Sequence, residues 1–391
     1  MTGELLEGVT VLDLASVGPA ARASRWLADY GADVVKVGPV PAKSGVQIAP
    51  PFFSYSAHRS MKRVLLDINA PEGREAFLAL AAEADVVIES FRPGVVDRLG
   101  IGYAAVSAAN PGIVYCSTSG FGQSGPASQQ AGHDLNYLGH GGFLHLTGSG
   151  PDGKPPIPGA TVADSAGGGM HAVIAILAAL RHRDRPGGDG TGRHLDVSVA
   201  DGVLALMALS VDEYLATGET VEVGSNLLLG RYACYDTYQA ADGKWLAVAA
   251  IEPRFWANLC KLLGLDKWIR HQNDDAVQDE IRIDIAAVLR TKDRDTWVAE
   301  LGPADTCVSG VLTIPELVED PQFAARGAFA TAKHPTHGTF RQLGPVLAGT
   351  VPAQDPYLVR ESDTTDTDEL LAAAGLAPET ISALREQGVV A

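Results

Sequence analysis

Cysteine is scarce in this chain: Cys116, Cys234, Cys260 and Cys307 stand far apart, with no CxxC spacing. That excludes a disulfide framework and a cysteine-built zinc site, so reduced, buried thiols and no metal are expected. Basic residues are also outnumbered, with 30 Lys and Arg against 47 Asp and Glu and a formal net charge of −17. A field of that sign repels phosphate backbones and anionic lipid, so neither nucleic acid nor membrane is an expected partner. A polyanionic ligand then needs a local basic patch. No apolar run reads as long enough to cross a bilayer: Met170 to Leu180 is short and contains His171. Met1-Thr2-Gly3-Glu4 lacks the basic and apolar regions of a signal peptide, and a cytoplasmic location is expected. A GxGxxG turn is missing too, since the first strand is followed by Ala15-Ser16-Val17-Gly18-Pro19-Ala20. A nicotinamide or flavin dinucleotide is therefore not indicated.

What is present is an ordinary globular balance, 46% apolar and 20% charged, with 43 glycines and 23 prolines that suit many tight connections. At 391 residues the chain is long for one core. Strand-like runs at 9–14, 32–37, 63–68, 84–89 and 113–117 alternate with helical stretches at 21–30, 72–83 and 95–99. Such βαβ units predict a parallel, doubly wound sheet. Residues 139–158 read as loop, Met170–His182 as a buried helix, 194–199 as a strand and 201–217 as a long helix. After Gly230 the pattern turns to α+β, with a hairpin signal at Asp242-Gly243. The division expected is a large α/β domain over 1–195, a linker helix over 196–231, a small α+β domain over 232–320, and a segment over 321–391 that returns to the large domain.

Two loops carry the residues best suited to chemistry. Gln130-Ala131-Gly132-His133-Asp134-Leu135-Asn136-Tyr137 sets an imidazole beside a carboxylate, and thirty residues on Asp164 opens the run Gly167-Gly168-Gly169. A His and an Asp facing one another across a substrate suit removal of a proton on one side and its return on the other. A hydrogen-bonded structural pair reads the same way, and Asp164 equally suits the N-cap of the helix that follows. His58-Arg59-Ser60-Met61-Lys62-Arg63 is the densest positive cluster, a phosphate site or a solvated loop.

Several segments together resemble the CaiB/BaiF family, the class III coenzyme A transferases and their relatives, over about residues 5–350. They are Leu6 to Leu14, Tyr30 to Val37, Ala84 to Gly94, the AGHDLNY loop from Ala131, Asp164 with its glycines, Leu195 to Ser198 with Asp201-Gly202, and Tyr235 to Tyr238 leading to Ala250-Ile251-Glu252-Pro253-Arg254-Phe255. The resemblance is to the racemases of that family. It implies racemisation or epimerisation of a 2-methyl-branched acyl-CoA by 1,1-proton transfer through an enolate. His133 and Asp164 are then the opposed bases, Glu252 steadies the imidazole, and Asp134 hydrogen-bonds Asp164. Backbone N–H groups near Gly132–Asp134 or at the start of the Asp164 helix are candidate donors to the enolate oxygen. Coenzyme A enters as part of the substrate, with no permanently bound cofactor. Arg59 and Lys62 match phosphate-binding positions, Glu89, Phe91 and Arg92 match the loop beside adenine and pantetheine, and Tyr137 matches a pocket residue. The family also implies an interlocked homodimer, with Glu252 supplied by the partner chain. Transferases of the family use the Asp matched by Asp164 as a nucleophile and usually have an apolar aromatic where this chain has His133. Transfer of CoA between carboxylic acids is thus the alternative, and a non-catalytic CoA-binding protein is a third reading. The chain departs from the racemase pattern at Gly38, in the loop Pro39 to Tyr55, and at Ala233-Cys234.

Overall fold

The computed structural model describes residues 4–41, 51–148, 152–351, 356–361 and 363–391. Most of the Pro-rich loop, 42–50, lies outside the described residues. Six parallel strands form one sheet: β1 (Thr10–Asp13), β2 (Asp33–Gly38), β3 (Met61–Leu65), β4 (Val86–Glu89), β5 (Val114–Ser119) and β6 (Arg193–Ser198). Between them run α1 (Gly18–Asp29), α2 (Pro71–Ala82), α3 (Val95–Arg98), α4 (Tyr103–Ala109), α5 (Asp134–His140), α6 (Phe143–Leu146) and α7 (His171–Asp184), and α8 (Val199–Leu206) follows β6. The strand order is β3-β2-β1-β4-β5-β6, so the winding reverses between β1 and β4. Ligands of open α/β sheets gather beyond the carboxyl ends of the strands at such a reversal.

Burial on both faces explains the apolar strand runs. One face packs Val87, Ile113 and Tyr115 against Phe77 and Leu80 of α2, while the other packs Val11, Val86 and Cys116 against Leu27 of α1 and Ile176 of α7. The strand expected at 63–68 runs over Met61–Leu65 instead, and just past its end Leu66 bridges Val390 near the C-terminus. The helix expected from Met170 starts earlier. Ala163–Met170 winds as a π-helix and runs straight into α7, giving Ala163–Asp184 as 22 continuous residues. By length and composition that segment could cross a membrane, but half of its apolar window is buried inside the chain.

The chain divides into two compact units, Met1–Gly142 with Ile157–Met207 and Pro321–Ala391, and Phe143–Pro156 with Ala208–Asp320. The second holds α9 (Ala208–Thr217), an antiparallel sheet ordered β7 (Tyr235–Gln239), β8 (Trp245–Ala249) and β9 (Val308–Gly310), and helices that include α10 (Pro253–Leu262), α11 (Gln278–Leu289) and α12 (Arg294–Leu301). Its core gathers Trp256, Trp297, Ile281 and Leu246. The last segment returns to the first unit with a hairpin, Phe329–His334 and Gly338–Leu343, and two helices, Thr367–Ala373 and Pro378–Glu386, of which Leu371, Ile381 and Leu384 join the first core. Cys116, Cys234 and Cys260 are buried, but Cys307, expected to be buried, is exposed.

Candidate active site

Asp164 stands in the first turn of the π-helix rather than at its cap, which is Val162. Glycines in this helix and in the one packed on it permit two close approaches. A Cβ on Gly202 of α8 would sit 1.9 Å from the Gly167 carbonyl oxygen, and one on Gly168 would sit 2.6 Å from Pro19 Cβ at the start of α1. The helix bearing Asp164 is thereby pressed against both α1 and α8. Burial raises the Asp164 carboxyl above the usual carboxylate range. Arg22 of α1 pulls it down, Asp134 pushes it up, and His133 pulls it down again.

The AGHDLNY loop delivers its residues to the same place. His133 is the N-cap of α5 in extended conformation, and its N–H donates to Asn136 Oδ1 at 3.0 Å, which fixes the turn and leaves the ring exposed. Asp134 Oδ1 accepts the Asp164 backbone N–H at 2.9 Å. That differs from the expected contact, since Asp134 meets the main chain of Asp164 and not its carboxyl. With the amides of His133 and Asp164 engaged in this way, neither is free to hold an enolate oxygen. The Tyr137 ring is buried beside Phe121, its hydroxyl donates to the Gly132 carbonyl at 2.5 Å, and burial together with the Asp164 charge raises its pKa.

Beside the carboxyl ends of β1 and β2, and along β3, lies a cavity of about 590 Å³, lined by Lys36, His58, Lys62, Arg63, His334 and Arg360 among others, with Glu361 the one acidic residue among the described lining residues. Basic side chains are concentrated here, although several are already paired within the chain, Lys36 with Asp13, Lys62 with Glu369 and Arg360 with Asp366, so a polyanion would compete with those carboxylates. Lys36 is buried and donates to Asp13 Oδ2 at 2.6 Å and to the Ala15 carbonyl, opposite Asp13 in the β1–β2 register. Burial, with Lys36, Arg63 and Arg25 nearby, pushes His58 down to about 3, so it stays neutral. The expected phosphate pair separates. Lys62 is exposed and pairs with Glu369 at 2.6 Å, whereas Arg59 is fully buried, donating to Asp29 at 2.9 Å and to the Leu343 carbonyl at 2.7 Å with its guanidinium over Tyr357.

At the end of β4, Glu89 is buried and accepts the Phe91 N–H at 2.7 Å. Burial raises it to about 7, against hydrogen bonds from Ser117 and Phe91. Phe91 packs on the core edge and Arg92 is exposed. The folded chain keeps a proton on Glu89 that the unfolded chain has already lost. Stability linked to Glu89 is therefore full below about pH 4.5 and falls as pH rises through about 7. Glu89→Gln keeps the shape and the Phe91 contact, and across that window it gains roughly 3 kcal/mol on the parent by chemical denaturation. Parallel pH profiles for the two proteins would mean that Glu89 does not titrate there.

Glu252 lies in the second unit, as the N-cap of α10, its carbonyl accepting the Trp256 N–H. Within the first unit the structure thus gathers His133, Asp134, Tyr137 and Asp164, with Lys62 at the basic cavity. Sequence reasoning missed Arg22, Lys36, His334 and Arg360. Only Lys36, a cation inside a valine strand, carried a local signal.

An open, doubly wound parallel sheet, with a carboxyl in the first turn of one helix, an imidazole at the N-cap of another and a cavity lined by basic side chains at its carboxyl edge, defines an α/β enzyme fold. The chain belongs to CoA-transferase family III, whose model matches residues 6–357. It is 32% identical over 392 residues to the alpha-methylacyl-CoA racemase of Homo sapiens, covering 98% of this chain and 97% of that one. It is 29% identical to the succinyl-CoA–D-citramalate CoA-transferase of Chloroflexus aurantiacus, with 98% of each chain covered. The solved structure of a CaiB/BaiF family protein from Brucella suis matches with a TM-score of 0.74 at 29% identity, over 98% of this chain and 99% of that one.

Proposed function

We propose that this enzyme inverts the C2 centre of a 2-methyl-branched acyl-CoA thioester by removing and returning the α-proton through an enolate. The observation that carries the reading is the hydrogen bond from the Asp164 N–H to Asp134 Oδ1 at 2.9 Å, which brings the His133–Asp134 turn to the start of the helix bearing Asp164, whose carboxyl is raised from its ordinary value by burial. His133 and Asp164 take the two faces of C2: one accepts the proton and the other, in its acid form, supplies a different one. The basic cavity beside β1 to β3 takes the nucleotide phosphates of CoA, with Lys62 at its rim, and the loop from Glu89 to Arg92 borders the rest. A racemase relative at 32% identity along nearly the whole chain supports the same chemistry.

The alternative, transfer of CoA between carboxylic acids with Asp164 as nucleophile, draws on transferase relatives such as the one at 29% identity. Supplying one enantiomer of a 2-methylacyl-CoA together with a free acid separates the two. Inversion without a new thioester is expected; a new thioester without inversion gives the transferase.

We also propose an interlocked homodimer in which Glu252 of the partner chain steadies His133. Support comes from the family resemblance and from large apolar residues exposed in one chain, Leu204 and Leu206 on α8 and Leu209, Tyr214 and Leu215 on α9. Sedimentation at low micromolar concentration is expected to give a dimer, and a stable, active monomer would contradict it.

A further inference from the structure

Asp164 has a neighbour that neither of the two motif loops supplies. Arg22 projects from α1, one turn after the Gly18-Pro19 start. Its Nη2 donates to Thr161 Oγ1 at 2.8 Å, and its Nη1 stands 3.5 Å from Asp164 Oδ2. The guanidinium lies 5.4 Å from the centre of the Tyr55 ring, and the Tyr55 hydroxyl accepts the Gly18 N–H at 2.8 Å, tying the ring back to the start of α1. The fork is thus anchored at Thr161, backed by Tyr55 and aimed at Asp164. The two side chains are only 21% and 18% exposed, so water screens the pair weakly.

The other groups facing Asp164 are His133, Asp134 and Tyr137 from α5, while α8 presents Val199 and Val203 to the glycine run without charge. Asp134 lies with its negative charge beside a carboxylate already partly removed from water. Arg22 is the permanent cation that offsets both. At 3.5 Å the contact is an ion pair rather than a tight hydrogen bond, so the anchored guanidinium favours the anionic form of Asp164 and sets the side its carboxylate faces without locking either oxygen in a short bond.

We propose that Arg22 is a positioning residue, holding Asp164 through the fork shared with Thr161 in the orientation and anionic resting state from which it reacts. What Asp164 reacts with rests on the racemisation proposed above; how it is held does not. Because each base serves one face of C2, loss of Arg22 acts on one direction of exchange and spares the other.

The test pairs a measurement of Asp164 itself with a measurement of chemistry. Full-length protein carrying ¹³C-carboxyl aspartate is titrated by NMR, with Asp164→Asn used to identify the Asp164 signal, and α-deuterium exchange is followed from each enantiomer of a 2-methylacyl-CoA. In Arg22→Gln the Asp164 midpoint moves to higher pH and exchange from one enantiomer falls roughly 10- to 100-fold. The acidic limb of the remaining rate moves up with the midpoint. Arg22→Lys keeps the charge and restores the midpoint, but recovers the rate only in part because it cannot span Thr161 and Asp164 together. If Arg22→Gln does not fold, Thr161→Val, at an exposed position, must move the midpoint in the same direction. An unmoved midpoint in the folded variant overturns the proposal, as does an equal loss of exchange from both enantiomers. If the parent enzyme exchanges no α-proton at all, the racemase reading falls, and the carboxyl titration alone decides the role of Arg22.

Discussion

His133→Ala abolishes inversion yet leaves deuterium exchange in one enantiomer only. The reason is geometric: with opposed bases, the enantiomer whose α-proton faces Asp164 still loses that proton to the surviving carboxylate, which returns a solvent deuteron to the same face. Asp164→Asn gives the mirror result, sparing the enantiomer that faces His133. Losing a positioned general base costs about 100- to 10,000-fold, so chiral analysis and mass spectrometry of the recovered thioester resolve both effects. The transferase chemistry behaves otherwise. There His133→Ala leaves acyl transfer largely intact, Asp164→Asn destroys it, and hydroxylamine traps an activated Asp164 in the parent enzyme. A uniform loss of exchange from both enantiomers in His133→Ala contradicts opposed bases.

The second large effect is on stability. Lys36→Met strands the Asp13 carboxylate, which is fully buried and holds the Lys36 ammonium at 2.6 Å in the adjacent strand. Removing one partner of a buried pair costs about 3–5 kcal/mol, because the other charge remains out of water. Denaturant unfolding is expected to show a lower midpoint at unchanged slope. Adding Asp13→Asn to Lys36→Met removes the stranded charge and recovers much of the loss, a coupling that independent sites do not give. A loss below about 1 kcal/mol for Lys36→Met alone would mean that water reaches Asp13. Because Lys36 also lines the basic cavity, the single variant is expected to bind CoA more weakly at low salt.

The parallel strands of the first unit were legible because burial on both faces leaves short runs of valine, leucine and isoleucine between helical stretches, a pattern that few other arrangements produce. Their order was not. Placing β6 beside β5 pairs Ser117 with Asp196, a contact between residues far apart in sequence that no local signal encodes. His133 and Asp164 could be named as candidates because an imidazole and carboxylates stand in glycine-rich segments, but a structural pair or a helix cap reads the same way, and their roles came from the family resemblance. Arg22 could not, since an arginine among alanines on a helix reads as a solvated face until the fold sets it against Thr161. The basic cluster at 58–63 was visible as charge, but strand geometry divides it. Once β3 begins at Met61, Lys62 points outward while Arg59 stays inside against Asp29. His334 and Arg360 reach the cavity only through the returning C-terminal segment, and their signal is purely tertiary.

The central claim is that the α-carbon is the reacting atom, and one measurement addresses it directly. The parent enzyme is incubated in deuterated water with a single enantiomer of a 2-methylacyl-CoA and a free carboxylic acid, and the thioester is recovered before equilibrium. The expected result is one deuterium at C2 of the inverted product, a mixture moving toward equal enantiomers, and no thioester of the added acid. A thioester of the added acid, with no deuterium at C2 and Asp164 trapped by hydroxylamine, would contradict it.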